Sequence, residues 1–325
     1  MAGIFKKNVI RPVRNSILFL MLCFMFLLCW VLPRKMLLFW HASIARLFYR
    51  LMSKTRRIVT DNLQIAFGPE RTPGQYHKMG RNVFITITKS LTDYAIWGIK
   101  KTRKQFSKYF EFKGEENLKA AYEKGRGVLC LIPHTLCWEF SAIMPPVLGY
   151  KTCGVSSKIR NVAVNRLMVG LRESRGMKNI VRDHSYETLV DRLKSGECLI
   201  IMIDQDSMKV KGEFLNFFGK TAYTPIGCAR LAYDTGAAVV PMFTIRNNQT
   251  DTYTFEILPE IPFEQKETYL ESMRYNTQKY NDVIESLIRK NPEQWVWMHE
   301  RWKTTPESLK KYLEYKDLES RYINK

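Results

Sequence analysis

The order of apolar and polar positions divides this chain of 325 residues into three stretches. Residues 15–33, NSILFLMLCFMFLLCWVLP, carry no charge over nineteen positions, between Lys6, Lys7, Arg11 and Arg14 on one side and Arg34 and Lys35 on the other. At about 1.5 Å per helical residue, that length just spans a hydrocarbon core of about 30 Å. The run is long, a second basic cluster follows it, and it holds no A-x-A cleavage site. It therefore predicts an uncleaved membrane anchor rather than a signal peptide. Seven Lys and Arg between Arg34 and Arg57, against four before the run, place the body of the chain on the cytoplasmic side. Residues 36–52 mix aromatic and aliphatic side chains with Arg46 and Arg50. That pattern fits a helix lying on an anionic leaflet and equally an amphipathic helix facing a core.

From Lys54 to Lys108 the pattern is helical and basic, broken at Gly68-Pro69 and Pro73-Gly74. Beyond it, short apolar runs appear at the length of buried strands: Val128 to Ile132, Cys198 to Ile203 and Ala238 to Ile245, with helical stretches between them. Strands alternating with helices predict an α/β domain with a largely parallel central sheet flanked by helices. Thr224-Pro225 and Gly236 bound a helix expected over Pro225 to Thr235. The expected organisation is an anchor over 1–33, a membrane-proximal helical segment over 34–110 and the α/β domain over 111–325.

Charge adds a demand on partners. Lys and Arg number 51 against 31 Asp and Glu, a net charge of +20, so the surface is suited to something acidic. A mean hydropathy of −0.25 excludes a chain lying mostly in lipid. No basic stripe or nucleic-acid-binding motif accompanies the charge, and no nucleic-acid partner is expected. The seven cysteines include no C-x-x-C pair and mostly sit in apolar runs, which predicts buried, reduced thiols on the cytosolic side.

His134 and Glu139 are the sharpest pair of candidate chemical groups. Five residues apart on one helix, they would point about 140° away from each other. With His134 at the end of the first strand and Glu139 in the first turns of the next helix, the carboxylate could instead reach one imidazole nitrogen. The site would then stand at the carboxyl end of a strand, where open α/β sheets place theirs. Such a dyad leaves the other nitrogen free to take a proton from an alcohol. An H-x4-E spacing also arises by chance in many proteins. Asp204, with Gln205 beside it, ends the second strand and is read as orienting active-site groups, a structural turn being the alternative. Asp204 and Asp206 without a nearby histidine make a poor metal site. Arg172 and Arg175 share a helix face, where they meet lipid phosphates or water. If Gln294 to Lys303 is a strand, Trp295, Trp297, His299, Arg301 and Lys303 fall on one face, fit to grip a phosphorylated, acylated substrate or half buried in a core.

Five blocks occur in order: His134-Thr-Leu-Cys-Trp-Glu139, Asp204-Gln205-Asp206, Phe217-Phe218-Gly219, Thr224 to Pro241, and Trp297-Met-His299-Glu-Arg301-Trp302-Lys303. Together they resemble the late acyltransferases of bacterial lipid A biosynthesis, from the anchor to about Pro306. The resemblance implies a glycerolipid-acyltransferase-like α/β fold behind an inner-membrane anchor, with the catalytic domain in the cytoplasm. It implies acyl carrier protein thioester as co-substrate, a lipid A precursor in an anionic leaflet as acceptor, and neither cofactor nor metal. His134 would be the general base and Glu139 its orienting acid. Arg160, Asn165, Arg172, Arg175, Asp204, Gln205, His299 and Arg301 would bind or support substrate. Two features depart from the family. Pro133 stands where some members have Asn, and Lys158 to Arg166 matches the family's Arg/Asn-Pro stretch only loosely, which weakens the case for Arg160. An acyltransferase of this fold acting on another glycolipid or a phospholipid stays open, as does a non-catalytic basic protein tethered to the membrane.

Overall fold

The computed structural model describes residues 16, 24, 27–29, 31–97, 102–159, 161–181 and 186–323, with side chains described as far as residue 317. The anchor expected over 15–33 lies mostly outside the described residues. Among the described residues, no helix is long and apolar enough to cross a membrane.

The helices α1 (Arg34–Leu51), α2 (Ser53–Phe67) and α3 (Pro73–Ile96) come before the sheet, with a 3-10 turn at Gly68–Glu70 where Gly68-Pro69 breaks the pattern. Thr72 and Gln75 form a reciprocal capping box around Pro73, whose missing N–H costs nothing at a helix start. Of the two arrangements open for residues 36–52, α1 shows the amphipathic helix facing a core. It buries Leu37, Leu38, Ala42 and Ala45 and packs against α3, while Phe39, Trp40, Leu47 and Leu51 are exposed.

The α/β portion follows in chain order as α4 (Arg103–Phe106), β1 (Phe110–Lys113), α5 (Glu115–Tyr122), β2 (Val128–Leu131), α6 (Trp138–Val147), β3 (Thr152–Ser156), α7 (Val162–Glu173), β4 (Met177–Val181), α8 (Tyr186–Lys194) and β5 (Cys198–Ile201). The hairpin β6 (Gly212–Phe217) and β7 (Lys220–Pro225) leads into α9 (Gly227–Thr235), β8 (Ala238–Asn247), β9 (Thr252–Ile257), α10 (Tyr269–Lys290) and α11 (Pro306–Ile323). Seven strands form one sheet in the order β1-β9-β8-β2-β5-β3-β4, parallel except for the antiparallel β8–β9 pair. Strand β2 is fully buried, the uniform apolarity of a strand covered on both faces. Gly127, just before it, has φ +76°, and a Cβ there would stand 2.4 Å from the Leu193 carbonyl oxygen, so only glycine lets β2 start this close to α8.

Two apolar layers sandwich the sheet. Leu129, Leu131, Leu199 and Val239 face the one built with α2, α3, α9 and α10. Val128, Cys130, Cys198 and Val240 face the other, where Phe106, Phe110, Phe140 and Tyr253 cluster. The alternation follows the period-two geometry of strands. Cys29, Cys130, Cys137, Cys153, Cys198 and Cys228 are all buried and free. Burial pushes the thiols of Cys137 and Cys153 up to about 12.

Two local expectations need correction. The helix expected from Pro225 begins at Gly227, because Lys220–Pro225 pairs with β6 as a strand. Gln294 to Lys303 is not a strand: a 3-10 turn at Pro292–Gln294 runs into successive turns. The N–H groups of Trp297, His299 and Arg301 donate to the nearby carbonyls of Trp295, Val296 and His299 rather than to a neighbouring strand. An isolated bridge between Trp295 and Thr135 ties the segment outward, with Val296 N–H donating to the His134 carbonyl and the Gln294 carbonyl accepting from Leu136 N–H.

Candidate active site

The parallel register of β2 and β5 builds the centre of the site. Leu131 pairs with Ile201, and His134 and Asp204 each come three residues later. Both chains thus leave the sheet side by side at its carboxyl edge. Asp204 is fully buried. Its Oδ1 lies 2.6 Å from His134 Nδ1, while its Oδ2 accepts the His134 backbone N–H at 2.7 Å and the Trp295 indole N–H at 2.7 Å. Burial pushes the Asp204 carboxyl up, but the adjacent His134, with its ring and backbone bonds, and the Trp295 indole outweigh it. They hold the group below the usual carboxylate range. A carboxylate only accepts, so Nδ1 carries the proton and Nε2 is the basic nitrogen. The His134 side chain is 18% exposed and lines a cleft of about 670 Å³.

Glu139 takes a different partner from the one its spacing suggested. In the first turn of α6, it receives Arg172 Nε at 2.9 Å and Nη2 at 2.5 Å, with the Trp138 indole on the same carboxylate at 3.0 Å. The His134–Glu139 contact is therefore replaced by His134–Asp204, because Asp204 already occupies Nδ1, and a bidentate guanidinium holds Glu139. Glu139, Arg172, Asn165 and Gln205 all line the cleft with His134. Asn165 Oδ1 accepts the Ile159 N–H at 2.9 Å, which ties the loop before α7 to that helix. If Glu139 acts by positioning Arg172, alanine at either residue should cost about the same, and the double variant should cost little more. A double-mutant cycle on acyl transfer would then give a coupling of about 0.5–3 kcal/mol.

Two expected substrate contacts, Arg175 and Arg301, are not at the cleft. Arg175 is buried and donates to Tyr94 Oη and to the carbonyls of Leu171 and Trp97. Arg301 is fully buried, bonded at 2.6 Å to both the Tyr223 carbonyl and Thr224 Oγ1, and burial pushes its pKa down to about 10. Neither is open to a lipid phosphate: Arg175 is covered by Tyr94 and the end of α3, and Arg301 is buried within the turns of 295–303 that replace the expected open strand face. Arg160 lies outside the described residues. Among the described residues, no group of His, Cys, Asp and Glu is placed to hold a metal ion.

His299 supports the loop after β5: its Nε2 accepts the Asp206 N–H at 2.8 Å, and the Asp206 carboxylate in turn takes the Thr304 N–H and hydroxyl. Burial, with His134 nearby, lowers the His299 pKa, and burial lowers that of His41. Unfolded, each titrates near 6.5. Below about that pH the unfolded chain takes up protons that the folded chain resists, so stability present above it is lost on acidification. The melting midpoint is expected to start falling near pH 6.5. His299→Gln, whose carboxamide oxygen can still accept from Asp206, is expected to flatten the decline.

The role of Trp295 was not apparent in the sequence beyond its place in an aromatic-basic run. The available signal was an indole N–H donor, of the kind that finds a partner when buried, arriving from a segment far from both strands.

The description of the bacterial lipid A biosynthesis acyltransferase family matches residues 4–304. The chain is 26% identical over 245 residues to the lipid A biosynthesis acyltransferase of Haemophilus influenzae, covering 75% of this chain and 74% of that one. It is 26% identical over 285 residues to the lipid A biosynthesis palmitoleoyltransferase of Escherichia coli, with coverage of 85% and 88%. It is also 24% identical over 191 residues to the phosphatidylinositol mannoside acyltransferase of Mycolicibacterium smegmatis, covering 58% and 60%. Among solved structures, the 1-acyl-sn-glycerophosphate acyltransferase PlsC of Thermotoga maritima aligns at a TM-score of 0.33 and 12% identity, covering 76% of this chain and 97% of that one. With a match running over nearly its whole length, the chain belongs to the bacterial lipid A biosynthesis acyltransferase family and is an acyltransferase.

Proposed function

We propose that the chain transfers a fatty acyl group from an acyl carrier protein thioester to a hydroxyl of a lipid A precursor, with His134 as general base. The acceptor hydroxyl is that of a 3-hydroxyacyl chain on a phosphorylated glucosamine lipid. The observation that carries this reading is a histidine whose Nδ1 is held by a buried carboxylate while the residue opens on a large, partly apolar cleft. Nε2 takes the hydroxyl proton as the oxygen attacks the thioester carbonyl. The intermediate collapses with loss of the C–S bond, and the imidazolium returns the proton to the leaving thiolate, giving an ester and a free thiol. Asp204 stabilises the imidazolium. The positive end of α6 stands at this point, and Arg172, whose Nε and Nη2 are committed to Glu139, keeps Nη1 for an oxygen in the cleft.

The exposed apolar side of α1 and the +20 charge support placing the protein at an anionic inner-membrane leaflet, with the acidic carrier protein docking from the cytoplasm. The similarity to a phosphatidylinositol mannoside acyltransferase supports a second reading, in which the acceptor is another glycolipid. The two separate in one experiment. Detergent-purified wild type and His134→Ala are incubated with mixed acyl carrier protein thioesters and a phosphorylated tetra-acyl lipid A precursor, and the products are weighed by mass spectrometry. One added acyl chain with wild type alone is the expected result. No addition by either protein would overturn the lipid A acceptor and turn the search to glycolipids.

A further inference from the structure

Residues 292–304 lie as a strap against the chain that leaves β2. The two run antiparallel: the Leu136 N–H donates to the Gln294 carbonyl at 2.8 Å, the Val296 N–H donates to the His134 carbonyl at 3.1 Å, and Trp295 faces Thr135 between those bonds. Both peptide groups of His134 are therefore engaged, its carbonyl by the strap and its N–H by Asp204 Oδ2. The strap is itself held from elsewhere. Asn62 of α2 donates to the carbonyls of Trp297 and His299, each at 2.8 Å, and the Gln294 side chain bonds both the N–H and the carbonyl of Arg246 on β8. At the far end, Thr304 holds the Asp206 carboxylate.

One side chain of the strap reaches the His134–Asp204 pair. Trp295 is fully buried, and its indole N–H donates to Asp204 Oδ2 at 2.7 Å, on the same oxygen that takes the His134 N–H. The terminal torsion of an aspartate is broad and roughly two-fold, so a carboxylate held by one donor can swing. A second donor on that oxygen, arriving from another segment, fixes the plane of the group and with it the place of Oδ1, 2.6 Å from His134 Nδ1. The indole in turn packs against Phe217 and Trp297, at 5.8 and 4.8 Å between ring centroids. Its chemistry also suits the position. An indole donates without carrying a charge, so it satisfies a buried carboxylate oxygen and leaves the full negative charge for the imidazolium, where a Lys or Arg would compete for it.

We infer that Trp295 is a positioning residue for acyl transfer: its indole N–H, delivered by the strap, fixes the rotation of the Asp204 carboxylate so that Oδ1 stays on His134 Nδ1. This rests on the proposed role of His134 as general base. Trp295 does not line the cleft, and it acts through Asp204. Without its N–H the carboxylate turns, the hold on Nδ1 slackens and the imidazole divides between two tautomers. Only the one with Nε2 unprotonated can take the hydroxyl proton. The expected loss is about 10- to 100-fold in kcat, the worth of one hydrogen bond to a charged group.

The test removes the N–H and keeps the ring. Trp295→Phe leaves a void as well as an unmet acceptor, so the decisive variant carries 3-benzothienylalanine at position 295, in which sulfur replaces the indole N–H. Both are made in the full chain in detergent, and single-turnover transfer to the phosphorylated tetra-acyl lipid A precursor is followed. The benzothienyl variant is expected to melt close to wild type and to lose kcat with KM little changed. Introduced into Asp204→Ala, the same replacement is expected to cost nothing further, because its target is gone. Wild-type kcat in the benzothienyl variant, or an equal loss with and without the Asp204 carboxylate, overturns the inference. A second readout needs no substrate: ¹⁵N NMR of the His134 ring, assigned by its absence in His134→Ala. Wild type is expected to show Nδ1 protonated and the benzothienyl variant a mixture of tautomers; an unchanged ring spectrum overturns the inference. If the spectrum changes as expected but wild type acylates no lipid A precursor, the acceptor assignment fails and the role of Trp295 stands.

Discussion

His134→Ala is expected to lower the turnover of acyl transfer by about 10²- to 10⁴-fold, the usual worth of a positioned general base, while leaving a folded protein. The imidazole is partly exposed at the cleft, and among the described residues its ring bonds to Asp204 alone, so removing it opens no void in the core. Asp204→Asn is expected to cost as much or more. Its carboxamide can offer an N–H to Nδ1, which selects the tautomer with the proton on Nε2, and such tautomer reversal in triad enzymes costs about 10⁴-fold in kcat. The loss should fall on kcat with KM little changed, a split that a merely structural role for Asp204 would not produce. Single-turnover kinetics on both variants, with circular dichroism to confirm folding, makes the check. Near-normal turnover by His134→Ala would end the assignment of the base.

Asp93→Asn is expected to destabilise the fold by about 3–5 kcal/mol, the cost of removing one partner from a buried ion pair. Asp93 is fully buried on α3. Arg34, the first residue of α1, donates to it through Nε at 2.6 Å and Nη2 at 2.8 Å, and fully buried Arg246 on β8 and the Tyr253 hydroxyl on β9 converge on the same carboxylate. Arg246 also reaches Asp251, which pairs with Lys89. Neutralising Asp93 leaves the Arg246 guanidinium without a full counter-charge in the core. Thermal and denaturant unfolding in detergent should show the loss directly, and a wild-type melting midpoint would refute it. The arrangement ties the start of α1 to the outer half of the sheet.

The α/β architecture was legible because its central strands are apolar on both faces. Val128 to Ile132, Cys198 to Ile203 and Ala238 to Ile245 announced β2, β5 and β8, and the glycine and proline breaks placed the helices. The turns of 295–303 were misread, because alternating Trp, Trp, His and Arg satisfy a strand pattern, and only the long-range burial of both indoles distinguishes the two. The site was half legible. His134 stood out by its place after a strand, and Asp204 was seen to end another, but their partnership depends on β5 lying beside β2 although β3 and β4 come between them in the chain. A reading along the chain favours Glu139, five residues away, over Asp204, seventy residues away. Register reverses that choice: two adjacent parallel strands, each followed three residues on by a chemical group, bring those groups together.

The buried cysteines give the protein an internal clock for its own opening. Thiolates rather than thiols react with alkylating reagents, and the thiols of Cys130, Cys137, Cys153 and Cys228 are both inaccessible and shifted away from ionisation. They sit on β2, β3, α9 and the turn into α6, so no surface fraying uncovers them together. Their joint modification therefore times the rare excursions in which the whole sheet comes apart, with no reporter group added to the chain.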